Sequence, residues 1–291
     1  MNHKINPFIL VLLLMGCKNT QAQILDSLIP VAPLPAELKE CSGLVELGDG
    51  WYAGTNDSGN SPELIVFPVG GSPETIRKVA IKGATNHDWE ELAADDEYIY
   101  IGDFGNNSGT RKDLTIYRIQ RLDLLRESIA RADKIVFTYP EQKKFKPSNT
   151  HNFDCEAMVS VGDSLFLFTK NRGNLKTDLY SLPKVPGQYT AKHMDRFDAG
   201  GLITGAGYRT NNHIGRLALI GYTTEDLGYH PFVILFSPVS GRDFLKAPAR
   251  RYMYNGTMQT ESVLFLDDDT VYITNEEEHG DQGFIHRSVL K

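Results

Sequence analysis

The feature that most constrains what this chain can fold into is a long internal repeat. One unit opens at His151-Asn152-Phe153-Asp154-Cys155-Glu156-Ala157-Met158. It continues through Ser164-Leu165-Phe166-Leu167-Phe168-Thr169 to Asp178-Leu179-Tyr180-Ser181-Leu182. The order is polar turn, strand, tight turn, strand, polar loop, strand. That order also begins at Asn86-His87-Asp88-Trp89-Glu90-Glu91-Leu92 and at Gln259-Thr260-Glu261, with a weaker copy at Cys41-Ser42-Gly43-Leu44 and a less regular one from Leu202. Aligning Ser42, Glu90, Glu156, Gly205 and Glu261 gives steps of 48, 66, 49 and 56 residues. Repeats of this size with three or four short strands each are the signature of a β-propeller.

The expected fold is therefore all-β, a propeller of five blades, or six if one degenerate repeat is hidden. A β-sandwich would leave the repeat unexplained. The last unit holds only three strand-like segments before the chain stops at Lys291. Residues 23–29 are expected to supply the missing strand, because closing the ring with an N-terminal strand leaves no open sheet edge. No stretch keeps a long helical period. Residues 121–132 are the best local helix candidate, with a charged turn between strands as the alternative.

Residues 1–16 read as a signal peptide. Their apolar run, Phe8 to Met15, is too short to span a bilayer. Leu14-Met15-Gly16-Cys17 resembles a bacterial lipobox, which would make Cys17 the lipidated (palmitoyl-type) first residue of an outer-membrane lipoprotein. Residues 17–22 would then be a tether and residues 23–291 a single propeller domain. Cleavage after Ala22 would give a secreted or periplasmic protein instead. An exported chain permits disulfides. Cys41 and Cys155 nevertheless occupy equivalent repeat positions on separate strands, so two small buried thiols are expected. The formal net charge of -7 and the absence of any basic track beyond Lys143-Lys144-Phe145-Lys146 argue against a nucleic-acid partner.

In a propeller, the repeat openings and the loops after each second strand share one rim. That rim should collect Asn56, Asp57, His87, Asp88, Glu90, Asp103, Asn106, Asn107, His151, Asp154, Glu156, Lys170, Asn171, Arg172, Glu261, Asn275 and Glu276. Glu90, Glu156 and Glu261 share a repeat position. If they converge on the central channel, they must raise one another's pKa, be separated by water or recruit a cation. Oxygen-rich sets of this kind suit calcium or another divalent ion, with Asn171 and Asn275 as neutral ligands. Alternatively, each glutamate accepts backbone N–H groups of a neighbouring blade.

Two functional classes follow. In a non-catalytic envelope or surface propeller, the rim residues Asn56, Asp57, Trp89, Asp103, Asn107, Phe153, Lys170 and Arg172 would bind a glycan, a peptide or an envelope protein. In a divalent-metal-assisted hydrolase of a small ester, lactone or phosphate, Glu90, Glu156, Glu261, Asn171 and Asn275 would hold the ion. His151 or Asp154 would then act as base. Gly-x-Ser-x-Gly and His-Glu-x-x-His motifs are absent.

Ser42-Gly43-Leu44, Asn56-Asp57, Trp89-Glu90-Glu91-Leu92, the run Gly102 to Asn107 and Asp154-Cys155-Glu156-Ala157-Met158 resemble exported propeller proteins of the Bacteroidota, many of them lipoproteins. The resemblance spans residues 36–278. More distantly, the chain resembles the calcium-dependent lactonase and strictosidine-synthase-like propellers, which implies a metal in the central channel. Asp26-Ser27-Leu28, Asp163-Ser164-Leu165 and Asp269-Thr270-Val271 resemble the short O-glycosylation triplet of those bacteria.

Overall fold

The computed structural model describes residues 22–25, 28–226, 228–277 and 282–291. Residues 1–17, for which a signal peptide and lipobox are expected, lie outside that range, Cys17 among them. Among the described residues no helix is long and apolar enough to cross a membrane.

Five antiparallel sheets are arranged as the blades of a propeller. Blade I is built from Cys41–Gly48, Trp51–Asn56, Glu63–Pro68 and Arg77–Lys82, from the inside outward. Blade II uses Trp89–Ala94, Tyr98–Asp103, Thr115–Gln120 and Asp133–Thr138, and blade III uses Cys155–Val161, Ser164–Thr169, Thr177–Pro183 and Lys192–Phe197. Blade IV has longer strands, Leu202–Asn211, Ile214–Glu225 and Gly228–Phe236, then Ala249–Tyr254. Blade V has Thr260–Phe265, Thr270–Asn275 and Phe284–Val289, and its outermost strand is the N-terminal Ile29–Pro33. The five inner strands contact one another in a closed cycle, so the ring has five blades, and an N-terminal strand closes it as expected.

The closing strand lies further along the chain than residues 23–29. Ala22–Leu25 instead adds in parallel to the outside of blade IV. Two other short strands cross blade boundaries in the same way. Ile129–Arg131 joins the edge of blade I, and Gly187–Thr190 joins the edge of blade II. The helix expected over residues 121–132 is a single short one, Arg121–Arg126, followed by that crossing strand. Each exchanged strand covers an edge that would otherwise expose unpaired backbone groups.

The core lies between blades. Trp89, fully buried, packs with Leu64, Val66 and Tyr117 between blades I and II. Met158, Phe137, Tyr139 and Tyr180 fill the space between blades II and III. Cys41 and Cys155 are buried free thiols in separate clusters, as their repeat positions implied.

One local irregularity recurs five times. At the start of every inner strand the pairing skips one residue: Ser42, Glu90, Glu156, Thr204 and Glu261. Such a bulge re-aims one side chain out of the alternation. The repeat position in blade IV is thus Thr204, one residue before the Gly205 chosen from sequence. A second irregularity is that Glu91, next to the bulge, reaches across the axis. Its carboxylate accepts the N–H of Leu92 at 2.9 Å and the N–H of Ala206, on blade IV, at 3.0 Å. It also accepts the N–H of Met158 on blade III. Burial pushes its carboxyl well above the ordinary range, while those backbone donors pull the other way. The inter-blade stitching foreseen for the repeat glutamates is performed by their neighbour. Gly43 permits this tightness, since a Cβ there would sit 2.5 Å from the Leu92 nitrogen.

Candidate functional site

The bulge, the residue two positions before it and the residue after each second strand form three tiers at one mouth of the channel. The bulge tier is Ser42, Glu90, Glu156, Thr204 and Glu261, all buried. The tier two residues earlier is Glu40, Asp88, Asp154, Leu202 and Gln259. The residues following the second-strand partners are Asp57, Phe104, Lys170, Tyr222 and Glu276. Blades I, II, III and V supply carboxylates. Blade IV supplies Leu202, Thr204 and Tyr222, so the mouth is acidic on four sides and neutral on the fifth.

Within it, two groups of carboxylates have oxygens within 4.8 Å of one another: Asp57, Asp88 and Glu90, and Glu90, Asp154 and Glu156. Glu90 belongs to both. Its Oε1 is buried and has no hydrogen-bond partner. The two groups differ in what already neutralises them. Asp154 is paired with Arg172, and Glu156 with Lys170 at 2.9 Å. Among the described residues Asp57, Asp88 and Glu90 have no ion-pair partner. Isolated carboxylates this close cannot all remain charged without a cation. Burial, then repulsion from Asp57 and Asp154, pushes Asp88 up to about 7. Burial, then repulsion from Glu156, pushes Glu90 well above the carboxylate range. On the far side burial pushes Glu261 and Glu276 each up to about 8, with Lys170 pulling both back.

Backbone features hold this geometry. The Asn86 Nδ2 group donates to the Asn56 and Asp57 carbonyls at 3.1 and 2.8 Å, while its Oδ1 accepts the Trp89 N–H. That clamps blade II to blade I beside Asp57 and Asp88. Asp103, fully buried, accepts the Asp88 N–H at 3.1 Å and pairs with Arg111 at 3.0 Å. Asp154 accepts the Asn106 N–H at 2.7 Å. Gly105 faces the triad: a Cβ there would lie 2.1 Å from the Glu90 Oε1 and 2.5 Å from the Asp88 carboxyl. Its lack of a side chain lets the Glu90 and Asp88 carboxyls pack directly against the backbone there.

Several residues singled out in the sequence sit elsewhere. The Asn171 Nδ2 group donates to Asp178 at 2.8 Å, beneath blade III's surface. The Asn275 Oδ1 accepts the Phe284 N–H and contacts His286, so it fastens blade V's own strands. The Asn275 oxygen is thus already engaged, whereas the buried Asn171 Oδ1 has no hydrogen-bond partner. His151 accepts the Phe153 N–H on Nδ1 at 3.1 Å, and its Nε2 lies 3.0 Å from the Asn107 carbonyl. Both ring nitrogens are thus used by the backbone, and Asp154 is fully buried with both oxygens engaged. Trp89 is buried, with Nε1 donating to the Thr85 carbonyl, and Phe153 is half-buried against Tyr139. Trp89 therefore presents no rim surface. Asn56 is committed to Glu37 and Glu40 backbone groups, and Asn107 receives Arg172 at 2.6 Å. Asp57, Lys170 and Arg172 do reach the mouth, alongside Glu90, Glu156 and Glu261. Sequence reasoning missed Glu40, Gly105, Gln259 and Tyr222. The repeat offset locates three of them in hindsight, but Gly105 carries no such signal.

Fold and mouth together define a five-bladed β-propeller with a carboxylate-lined channel. No family model matches the chain, and no curated protein does. Among solved structures it is similar to a glucose dehydrogenase at 9% identity, covering 91% of this chain and 100% of that one, with a TM-score of 0.50. It is also similar to a Myxococcus xanthus glutaminyl cyclase (11% identity, 90% and 95% covered, TM-score 0.45). A Coprinopsis cinerea GH62 alpha-L-arabinofuranosidase catalytic domain gives 8% identity, 90% and 96% covered, and a TM-score of 0.43. At these identities the likeness is one of fold.

Proposed function

We propose that the protein is a divalent-cation-dependent hydrolase of a small ester or lactone, with the ion held by Asp57, Asp88 and Glu90. The observation that carries this is Glu90. Its carboxylate is buried, lies in both carboxylate groups and leaves Oε1 without a partner. A buried unpaired carboxylate is costly, and a hard cation with oxygen ligands, calcium foremost, removes that cost. The other triad already holds Arg172 and Lys170, so the charge count supports one ion rather than two.

Bound there, the ion would polarise a carbonyl or lower the pKa of a water. The protein's own groups do the rest. The Lys170 ammonium, fixed by Glu156 and lying 5.4 Å from the Tyr222 ring centroid, presents positive charge across the mouth from the triad. It can stabilise negative charge developing on a substrate oxygen. A purely non-catalytic binding role loses one of its aromatic contacts with Trp89 buried, and keeps Phe153, Asp57, Lys170 and Arg172.

The test is metal content by elemental analysis of the purified protein, with turnover of a panel of chromogenic esters and lactones, for wild type, E90Q and D88N. One ion per chain, lost together with hydrolysis in both variants, supports the reading. A stoichiometric ion with no turnover of any panel member would leave an ion-bound propeller and refute the hydrolase. No ion in the wild type would refute both parts.

A further inference from the structure

We infer that the blade V side of the mouth is the recognition subsite for a cationic, amine-bearing ligand, with the Glu261 carboxylate as its acceptor. This rests on the same mouth as the proposed hydrolase, and it names the class of substrate that mouth admits.

The first observation is charge. After Arg172 and Lys170 are set against Asp154 and Glu156, and a divalent ion against the triad, Glu261, Glu276 and Glu40 remain. Among the described residues none of them has an ion-pair partner, although the Lys170 charge reaches Glu261 and Glu276 and pulls their carboxyls back down. The Gln259 Nε2 group donates to Glu276 at 2.8 Å, and the Asn60 Nδ2 group donates to Glu40 at 2.7 Å.

The second observation is independent of the count. Glu261 is 3% exposed, yet its Oε1 has no hydrogen-bond partner. The bulge at the start of its strand turns it out of the strand alternation. Buried polar atoms usually find partners, and of those left without one at this mouth, Glu90 Oε1 faces the ion while Glu261 Oε1 is an acceptor left for something outside the chain. Beside it, blade IV supplies no charge: Tyr222 packs against Tyr229 at 4.7 Å between centroids and already carries the Lys170 ammonium over its ring. An anionic ester, such as a phosphate, would instead meet uncompensated carboxylates on this side.

The test uses the full, calcium-loaded chain at pH 9, above the range in which Glu261 holds its proton, and reads binding directly, by calorimetry, with three probes of similar size: butylammonium, butanol and butyrate. A hydrogen bond to a charged acceptor corresponds to about ten- to a hundred-fold in affinity, so butylammonium should bind at least about ten-fold more tightly than either of the others. E261Q should erase that preference while leaving calcium content at the wild-type value, and E276Q should weaken it. Should E261Q fail to fold, the wild-type probe order and E276Q still decide the matter. Equal or tighter binding of butyrate would overturn the inference. So would loss of an ion in E261Q, which would assign the carboxylate to a second cation. Because the readout is binding, a protein that prefers butylammonium yet hydrolyses no ester refutes the hydrolase and leaves this subsite standing.

Discussion

Glu90 and Glu91 are adjacent in sequence, and the structure gives them opposite duties, so replacing Glu91 is a sharp probe of the fold. In E91A, three buried N–H groups, those of Leu92, Met158 and Ala206, lose their acceptor. Each stranded buried donor costs about 1–3 kcal/mol. Some of the vacated volume will admit water, so the net loss is roughly 3–6 kcal/mol on that scale. This is a large part of the roughly 5–15 kcal/mol that holds a domain together. E91Q keeps one carbonyl oxygen but turns an NH2 toward N–H donors, and should cost about 1–3 kcal/mol. The assay is urea unfolding followed by tryptophan fluorescence, since Trp89 is buried two residues away. Ion content per folded chain should be unchanged in E91Q. If E91A unfolds within about 1 kcal/mol of wild type, below the cost of a single stranded donor, the carboxylate is not the axial stitch.

Further outcomes follow from the same geometry. Glu261 and Glu276 rise from 4.5 to about 8 in the folded chain. The folded state thus holds their protons more tightly, and the stability they contribute is full below pH 4.5 and is lost as pH rises toward 8. In chelator the melting temperature should therefore fall from pH 5 to pH 8, and a rise over that interval would contradict the assignment. G105A places a methyl group against Glu90 and Asp88 and should lower ion affinity about ten- to a hundred-fold, the range seen for residues supporting metal ligands. Titration calorimetry reads that change, and unaltered affinity would show that the triad is not the ion site. Deleting residues through Pro33 uncovers the edge of Phe284–Val289 and should sharply lower the melting temperature. Deleting only through Leu25 removes a strand outside the ring closure and should cost much less, so equal losses would refute closure by Ile29–Pro33.

Much of the fold was legible because it repeats. Asp88-Trp89-Glu90 and Asp154-Cys155-Glu156 align without a gap, and alternation within each unit marks the strands. What repetition does not encode is pairing at long range. Residues 129–131 and 187–190 are short and partly exposed, and each joins the sheet of a different blade, so nothing local announces them. The site was legible as a rim but not as a ligand set. A one-residue bulge decides that Glu90 faces the mouth and Glu91 the backbone of blades III and IV, and alternation alone cannot reveal a bulge. Blade IV lacks a glutamate at the repeat position, so the alignment settled on Gly205 beside Thr204. Asn171 and Asn275 have the chemistry of neutral ligands, but the Phe284 N–H already claims the Asn275 oxygen, and Asn171 is anchored through its Nδ2 on Asp178 with its Oδ1 left without a partner. Only the folded chain shows which polar atoms are left without partners.

The central claim is a cation on the triad that centres on Glu90. Its most direct test is diffraction at the manganese absorption edge from crystals of the full chain grown with Mn2+ in place of calcium. The account predicts one anomalous peak at the channel mouth, at bonding distance from oxygens of Asp57, Asp88 and Glu90, and none beside Lys170. No peak at the mouth, or a peak ligated by Glu261 and Glu276 while the triad stays bare, would contradict it.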